Sequence, residues 1–159
     1  MIFRLPVIYK FIMIFSFCIS LISILAQIFG NITPCQLCLI SRYTFLSIAI
    51  FSILANYYRF YKFILIILVF GLCLFSLYHL GVENHWWQGP QSCISELPSL
   101  ASLPVIDKFV ESNQVFCDRA NWMIFGISST LWSFLASAFL LWVTSVAYIL
   151  DYYLKRLDD

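Results

Sequence analysis

The residues of this chain best suited to chemistry are Cys35, Cys38 and Arg42, in the stretch Pro34-Cys35-Gln36-Leu37-Cys38-Leu39-Ile40-Ser41-Arg42. Two thiols three positions apart on a helix share a face and can close on each other. Arg42 follows Cys38 by four residues on that same face, about 6 Å further along the axis at 1.5 Å per residue. A cation there favours a thiolate, the form of sulfur that attacks and leaves in disulfide exchange, and arginine keeps its charge in such a place. The competing use of Arg42 is a side chain that reaches outward to lipid headgroups.

These residues need a scaffold, and the composition names the solvent it folds in. Of 159 residues, 62% are hydrophobic and 11% charged, with a net charge of +1. That is too apolar for a soluble domain and offers no basic face for a nucleic acid. Four apolar runs, at about 11–29, 39–58, 63–80 and 123–148, are each long enough to cross a hydrocarbon core of about 30 Å. The first holds 19 residues with no charge. It exceeds the apolar core of about 7–15 residues normal for a cleavable signal peptide, and so reads as a retained span. Thr33 as N-cap and Pro34 at the first helical position would start the second. The chain is therefore expected to be one integral membrane domain, 1–159: an all-α, four-transmembrane-helix bundle running up-down-up-down.

Lys and Arg gather on the cytoplasmic side of membrane proteins. Arg4, Lys10, Arg59, Lys62, Lys155 and Arg156 fall on one side, and only Arg42, Lys108 and Arg119 on the other. Both termini are thus expected in the cytoplasm, with segments of about 30–38 and 81–122 outside, in the periplasm of a Gram-negative cell. In the long outer segment, 103–111 carries Val105, Ile106, Phe109 and Val110 on one face. It can form a short interfacial helix; the plainer reading is a loop with a few buried apolar side chains.

This topology sorts the six cysteines. Cys18 and Cys73 fall inside spans, where a thiol acts as a small apolar residue. Cys35, Cys38, Cys93 and Cys117 all face the oxidising side, where disulfides persist. Four cysteines allow three connectivities, of which Cys35 with Cys38 and Cys93 with Cys117 is the simplest. Static staples, a four-cysteine zinc site and a redox relay are the three uses open to them. Zinc sites normally show two short-spaced pairs, and here only one is short. The relay best explains why a thiol pair sits at a helix start, beside a cation, at the membrane edge.

With these features in place, the chain resembles the disulfide bond formation protein B (DsbB) family over nearly its whole length. The matching pieces are Pro34-Cys35-x-x-Cys38 with Arg42, the outer segment with two further cysteines, and Tyr78-His79-Leu80-Gly81-Val82-Glu83 followed by Trp86, Gly89-Pro90 and Cys93. Cys117-Asp118-Arg119-Ala120-Asn121-Trp122 then leads into the last span. Ser41 stands where some members carry an acid. The resemblance implies a protein-dithiol:quinone oxidoreductase of the bacterial inner membrane. It would reoxidise a periplasmic thioredoxin-like disulfide donor of the DsbA type, with ubiquinone or menaquinone as electron acceptor and no metal. By position, Cys93 would be attacked by the partner. Cys117 would pair with Cys93 at rest and pass electrons to Cys35. Cys38 would meet the quinone, and Arg42 would stabilise the charge that develops there.

Other residues carry weaker expectations. His85 could contact quinone or relay a proton, since imidazole titrates near neutrality; a solvated loop histidine is the plainer reading. His79 is expected to pack at the interface and Glu83 to cap its span. Trp86, Trp87 and Trp122 read as an interfacial belt, and Trp132 and Trp142 as packing residues of the fourth span. Two rival functions remain. A vitamin K epoxide reductase-like enzyme would carry its Cys-x-x-Cys late in the bundle, whereas here the motif opens span two. A non-enzymatic tetraspan protein with a stapled outer loop would be indifferent to loss of the Arg42 charge.

Overall fold

The computed structural model describes residues 5–30, 34–90, 117 and 123–158. Thr33, Cys93, the 103–111 segment and Trp122 lie outside the described residues. Four long helices make up the body: α1 Leu5–Gly30, α2 Gln36–Tyr57, α3 Arg59–Glu83 and α4 Ser129–Asp158. A two-stranded antiparallel hairpin, β1 Met123–Ile124 and β2 Ile127–Ser128, precedes α4. All four helices are long and apolar enough to cross a membrane. At 26 residues, α1 alone extends about 39 Å.

The helices outrun the apolar runs because a charged residue does not end a helix. α1 continues back through Lys10, and α3 begins at Arg59, takes in Lys62 and runs on to Glu83. Only Tyr58 separates α2 from α3. Its extended backbone (φ −125, ψ 127) turns the chain, while its N–H still bonds Leu54 O at 2.9 Å. At the other end of the bundle α4 starts six residues later than the apolar run, because Phe125 (φ 54) and Gly126 (φ 78) form a two-residue hairpin turn. Two successive left-handed residues match the twist of a tight hairpin. Ser128 then takes the N-cap role of α4, its Oγ accepting from Leu131 N at 3.3 Å.

α3 stops by a left-handed cap. His85 N–H bonds Val82 O at 3.2 Å, Trp86 N–H bonds Gly81 O at 2.8 Å, and His85 itself sits at φ 57, the place usually given to glycine. The chain then folds back over the helix end. The Trp87 indole stacks on Tyr78 and donates to Tyr78 O at 2.9 Å. A Cβ on Gly81 would lie 2.1 Å from Trp87 Cζ2, so this close seat requires glycine.

The exterior is apolar where that of a soluble bundle would be polar. Ile22, Phe29, Ile50, Phe63 and Trp142 face outward, as lipid requires, while Ser16, Ser20, Ser52, Ser76, Ser137 and Thr144 are buried between helices. Small hydroxyl side chains let helices approach and bond across the gap. Ser52 Oγ donates to Tyr9 O at 2.7 Å. Ile12, Phe45, Ile48, Leu65, Val69, Leu72 and Leu140 fill the centre. At the end away from Cys35, Lys62 pairs with Asp151 at 2.8 Å and lies 5.5 Å over the Tyr9 ring, tying α1, α3 and α4. The packing follows chain order, α1 on α2, α2 on α3 and α3 on α4, with a thinner contact closing the ring between α1 and α4.

Candidate functional site

Cys35 is the N-cap of α2, a position outside the helix proper. Its backbone is extended (φ −70, ψ 165), and its Sγ accepts the Cys38 N–H at 3.3 Å. Leu39 N–H closes the first turn on Cys35 O at 3.1 Å. This places helix initiation two residues later than expected, with Pro34 ahead of the cap and not inside the helix. The thiol thus does the work usually done by Ser or Asp, satisfying an otherwise unpaired N–H at a positive helix end.

Both cysteines are free thiols with sulfurs 2.9 Å apart, Cys35 donating to Cys38. Their surroundings differ. Cys35 is 2% exposed and packs with Leu37, Val82 and Cys117, itself 1% exposed. Cys117 hydrogen-bonds the Cys35 sulfur, which favours the Cys35 thiolate. The hydrogen bond to Cys38, together with burial, acts the other way and pushes the thiol up to about 12. Cys38 instead lines a cavity of about 380 Å³ bounded mainly by α1, α2 and α4, with His79 of α3. Cys93 and its expected bond to Cys117 lie outside the described residues.

His79, expected as interfacial packing, is 3% exposed, with Nε2 3.6 Å from Cys35 Sγ, and it also lines the cavity. Its sequence signal was its register: Leu65, Val69, Leu72 and Ser76 form the buried stripe of α3, and His79 continues it. His85 is exposed and absent from the cavity lining; its place is the left-handed cap of α3. Trp132, expected to pack, is 41% exposed and borders the cavity, and Trp142 faces outward. Cys18 is exposed on α1.

Arg42 is 9% exposed and turns into the bundle, where Nη1 donates to Gln27 Oε1 on α1 at 2.9 Å. Gln27 was missed by sequence reasoning, although it is the one amide in the uncharged 11–29 run. Among the described residues no carboxylate pairs with Arg42. Its backbone carbonyl accepts Ser20 Oγ at 3.4 Å, so α1 holds Arg42 from two positions. Glu83 accepts a hydrogen bond from Thr130 Oγ1, which joins the end of α3 to the start of α4.

The cavity fits a lipid-soluble ring bearing polar oxygens. Its volume falls in the range of small-molecule sites of about 300–1,000 Å³. Phe15, Ile19, Phe45 and Trp132 supply apolar walls, and Arg42 and His79 supply polar groups. Ser41 Oγ and Ser133 Oγ, both in the lining, are buried and have no hydrogen-bond partner among the described residues. Buried polar atoms left unpaired by the protein normally meet a ligand or water. Cys35 Sγ, Cys38 Sγ and His79 Nε2 also lie within 4.8 Å of one another, a donor set that could hold a thiophilic ion such as Zn²⁺.

Fold and site together define a four-span helical membrane protein with a thiol pair shared between a buried cysteine and a lipid-side cavity. The chain belongs to the disulfide bond formation protein DsbB family, whose family model matches residues 6–147. Membership makes it an oxidoreductase of disulfide formation. No curated protein and no solved structure matches the chain.

Proposed function

We propose that the protein oxidises the dithiol of a soluble, thioredoxin-fold oxidase of the DsbA type and passes the two electrons to ubiquinone or menaquinone. The site would face the periplasm from the bacterial inner membrane, with both termini in the cytoplasm. The observation that carries this reading is the division of the thiol pair: Cys35 against Cys117, Cys38 against the cavity.

The partner's thiolate attacks Cys93 of a Cys93–Cys117 disulfide, and the partner's second thiol resolves the mixed disulfide, leaving Cys93 and Cys117 reduced. Cys117 then attacks Cys35 of a Cys35–Cys38 disulfide, with Cys38 leaving as thiolate. Cys93 resolves the Cys117–Cys35 bond, so that Cys35 is left as a thiol. A thiol at Cys35 that holds its proton to about 12 donates to the Cys38 sulfur, and the pair's negative charge stays on Cys38 at the cavity. Bound quinone supplies the electron sink, taking two electrons and two protons. Arg42, Ser41 and Ser133 would hold its oxygens. His79 Nε2 is placed to take the Cys35 proton as the Cys35–Cys38 disulfide re-forms.

The test is direct. A DsbA-type oxidase lacking its second cysteine is captured as a mixed disulfide on Cys93, and Cys38→Ala abolishes quinone reduction while Cys18→Ala and Cys73→Ala leave it intact. Normal quinone reduction by Cys38→Ala would refute the relay as drawn, and a wild-type protein that reduces no quinone would return the chain to a tetraspan protein with static disulfides.

A further inference from the structure

Quinone reduction by this thiol pair leaves one proton unaccounted for. Cys35 as thiol and Cys38 as thiolate together give up two electrons and form one disulfide. The quinone's two oxygens need two protons, and Cys35 releases one. The second must come from outside the pair, across a wall of apolar helix.

Among the described residues, a polar track crosses this wall. Thr130 is buried and lines the cavity. Its Oγ1 donates to the Glu83 carboxylate on α3, and Ser128 Oγ lies 2.9 Å from the same hydroxyl. Glu83 is half-buried, sits one turn beyond His79, and adjoins the exposed Asn84 and His85. Among the described residues it has no cationic partner. One end of the track therefore reaches water, and the other end faces the cavity. A bond that only pins α3 to α4 needs neither an ionisable group nor a position in the cavity wall.

We propose that Glu83 and Thr130 form the proton inlet of the quinone-reducing step, an inference that rests on the quinone reading above. A protonated Glu83 donates to Thr130 Oγ1, reversing the bond seen here, and turns the Thr130 hydroxyl hydrogen into the cavity. Thr130 passes that proton to one quinone oxygen and takes the Glu83 proton in its place. Glu83 is then reprotonated from water. With the proton from Cys35 reaching the other oxygen, the balance closes: thiol, thiolate, quinone and one proton give disulfide and quinol.

The experiment separates the two halves of turnover in the purified full chain. Reduced protein is mixed with a short-chain ubiquinone analogue, and re-formation of the Cys35–Cys38 disulfide is followed by acid quench and thiol alkylation. Glu83→Gln and Thr130→Val each slow this step by about 100-fold, the lower end of what a positioned proton donor contributes. Thr130→Ser, which keeps the hydroxyl, restores it. The double variant is no slower than either single one, because both lie on one route. Without quinone, dithiol transfer from the partner to the Cys35–Cys38 pair proceeds at the normal rate in all variants. The infrared band of a protonated carboxyl that accompanies reduction is lost in Glu83→Gln. Reoxidation of Glu83→Gln at the wild-type rate, or a Thr130→Ser variant as slow as Thr130→Val, would overturn the inlet alone. Failure of quinone to reoxidise the wild-type protein would overturn the inlet together with the quinone reading.

Discussion

Replacing Arg42 with Met separates charge from shape at the centre of the cavity. Methionine keeps most of the apolar stem but removes the guanidinium and its 2.9 Å bond to Gln27 Oε1. Two losses follow, on different readouts. An intramolecular hydrogen bond contributes about 1 kcal/mol net, so thermal stability should fall by roughly that amount. A hydrogen bond from a charged donor to an oxygen that gains negative charge contributes about 1.5–3 kcal/mol. At about 1.4 kcal/mol per decade, kcat/KM for quinone should fall by about 10- to 150-fold. Gln27→Leu is the control, because it removes the same bond and leaves the charge. It should match the stability loss of Arg42→Met yet keep quinone use within a few-fold of wild type. The assay is loss of quinone absorbance in detergent with saturating reduced DsbA-type oxidase, set beside partner-to-protein dithiol transfer without quinone, which both variants should perform normally. An unchanged kcat/KM in Arg42→Met would refute the argument. So would a Gln27→Leu variant equally poor with quinone, since Arg42 would then act only through its bond to α1.

Three other outcomes are expected. The unfolded chain loses the Cys35 proton near pH 8.5, and the folded reduced chain holds it to about 12. The reduced protein should therefore lose about 1.4 kcal/mol of stability per pH unit within that window, and thermal melts of Cys35→Ser should lack this component. His85→Gly should leave turnover unchanged and raise stability by up to about 1 kcal/mol, since glycine removes the Cβ penalty of the left-handed cap; a loss of quinone reduction would instead give His85 a role in the chemistry. Protein dialysed against a strong chelator should retain its full rate despite the Cys35, Cys38 and His79 donor set. A rate lost on dialysis and restored by Zn²⁺ would favour a metal site.

The four spans were legible because lipid imposes a single rule, long uncharged helices, that any sequence window reveals. Their ends were not, since Lys10, Arg59 and Lys62 extend helices into the headgroup layer without interrupting the hydrogen-bond ladder. The hairpin before α4 was hidden for a related reason. Met123, Ile124, Phe125 and Ile127 are all apolar, and only Gly126 hints that the run does not begin as a helix. Cys35, Cys38 and Arg42 were readable because neighbours in sequence are neighbours on one helix. His79, Gln27 and the bond between Glu83 and Thr130 depend on how three other helices rotate against α2, and packing sets that rotation. The stripe through Leu65, Val69, Leu72 and Ser76 does point to His79, provided the inward face of α3 is assigned first.

Spacing alone puts both cysteines on one helical face, but a Cys-x-x-Cys at a helix start is not symmetric. Cys38 is the third residue of α2 and takes the direction that helical geometry gives it, into the bundle. Cys35 is the cap, with non-helical dihedrals, and its side chain leans back over the helix end. The sulfurs therefore stay in contact at 2.9 Å while the two residues meet different surroundings. Moving the motif one turn into α2 would turn both thiols toward the cavity and away from Cys117. Moving it ahead of Pro34 would remove the Cys38 N–H bond to Cys35 Sγ and the favourable helix end. Two adjacent sulfurs can meet both Cys117 and the cavity at this boundary, where the chain changes from extended to helical between one cysteine and the next.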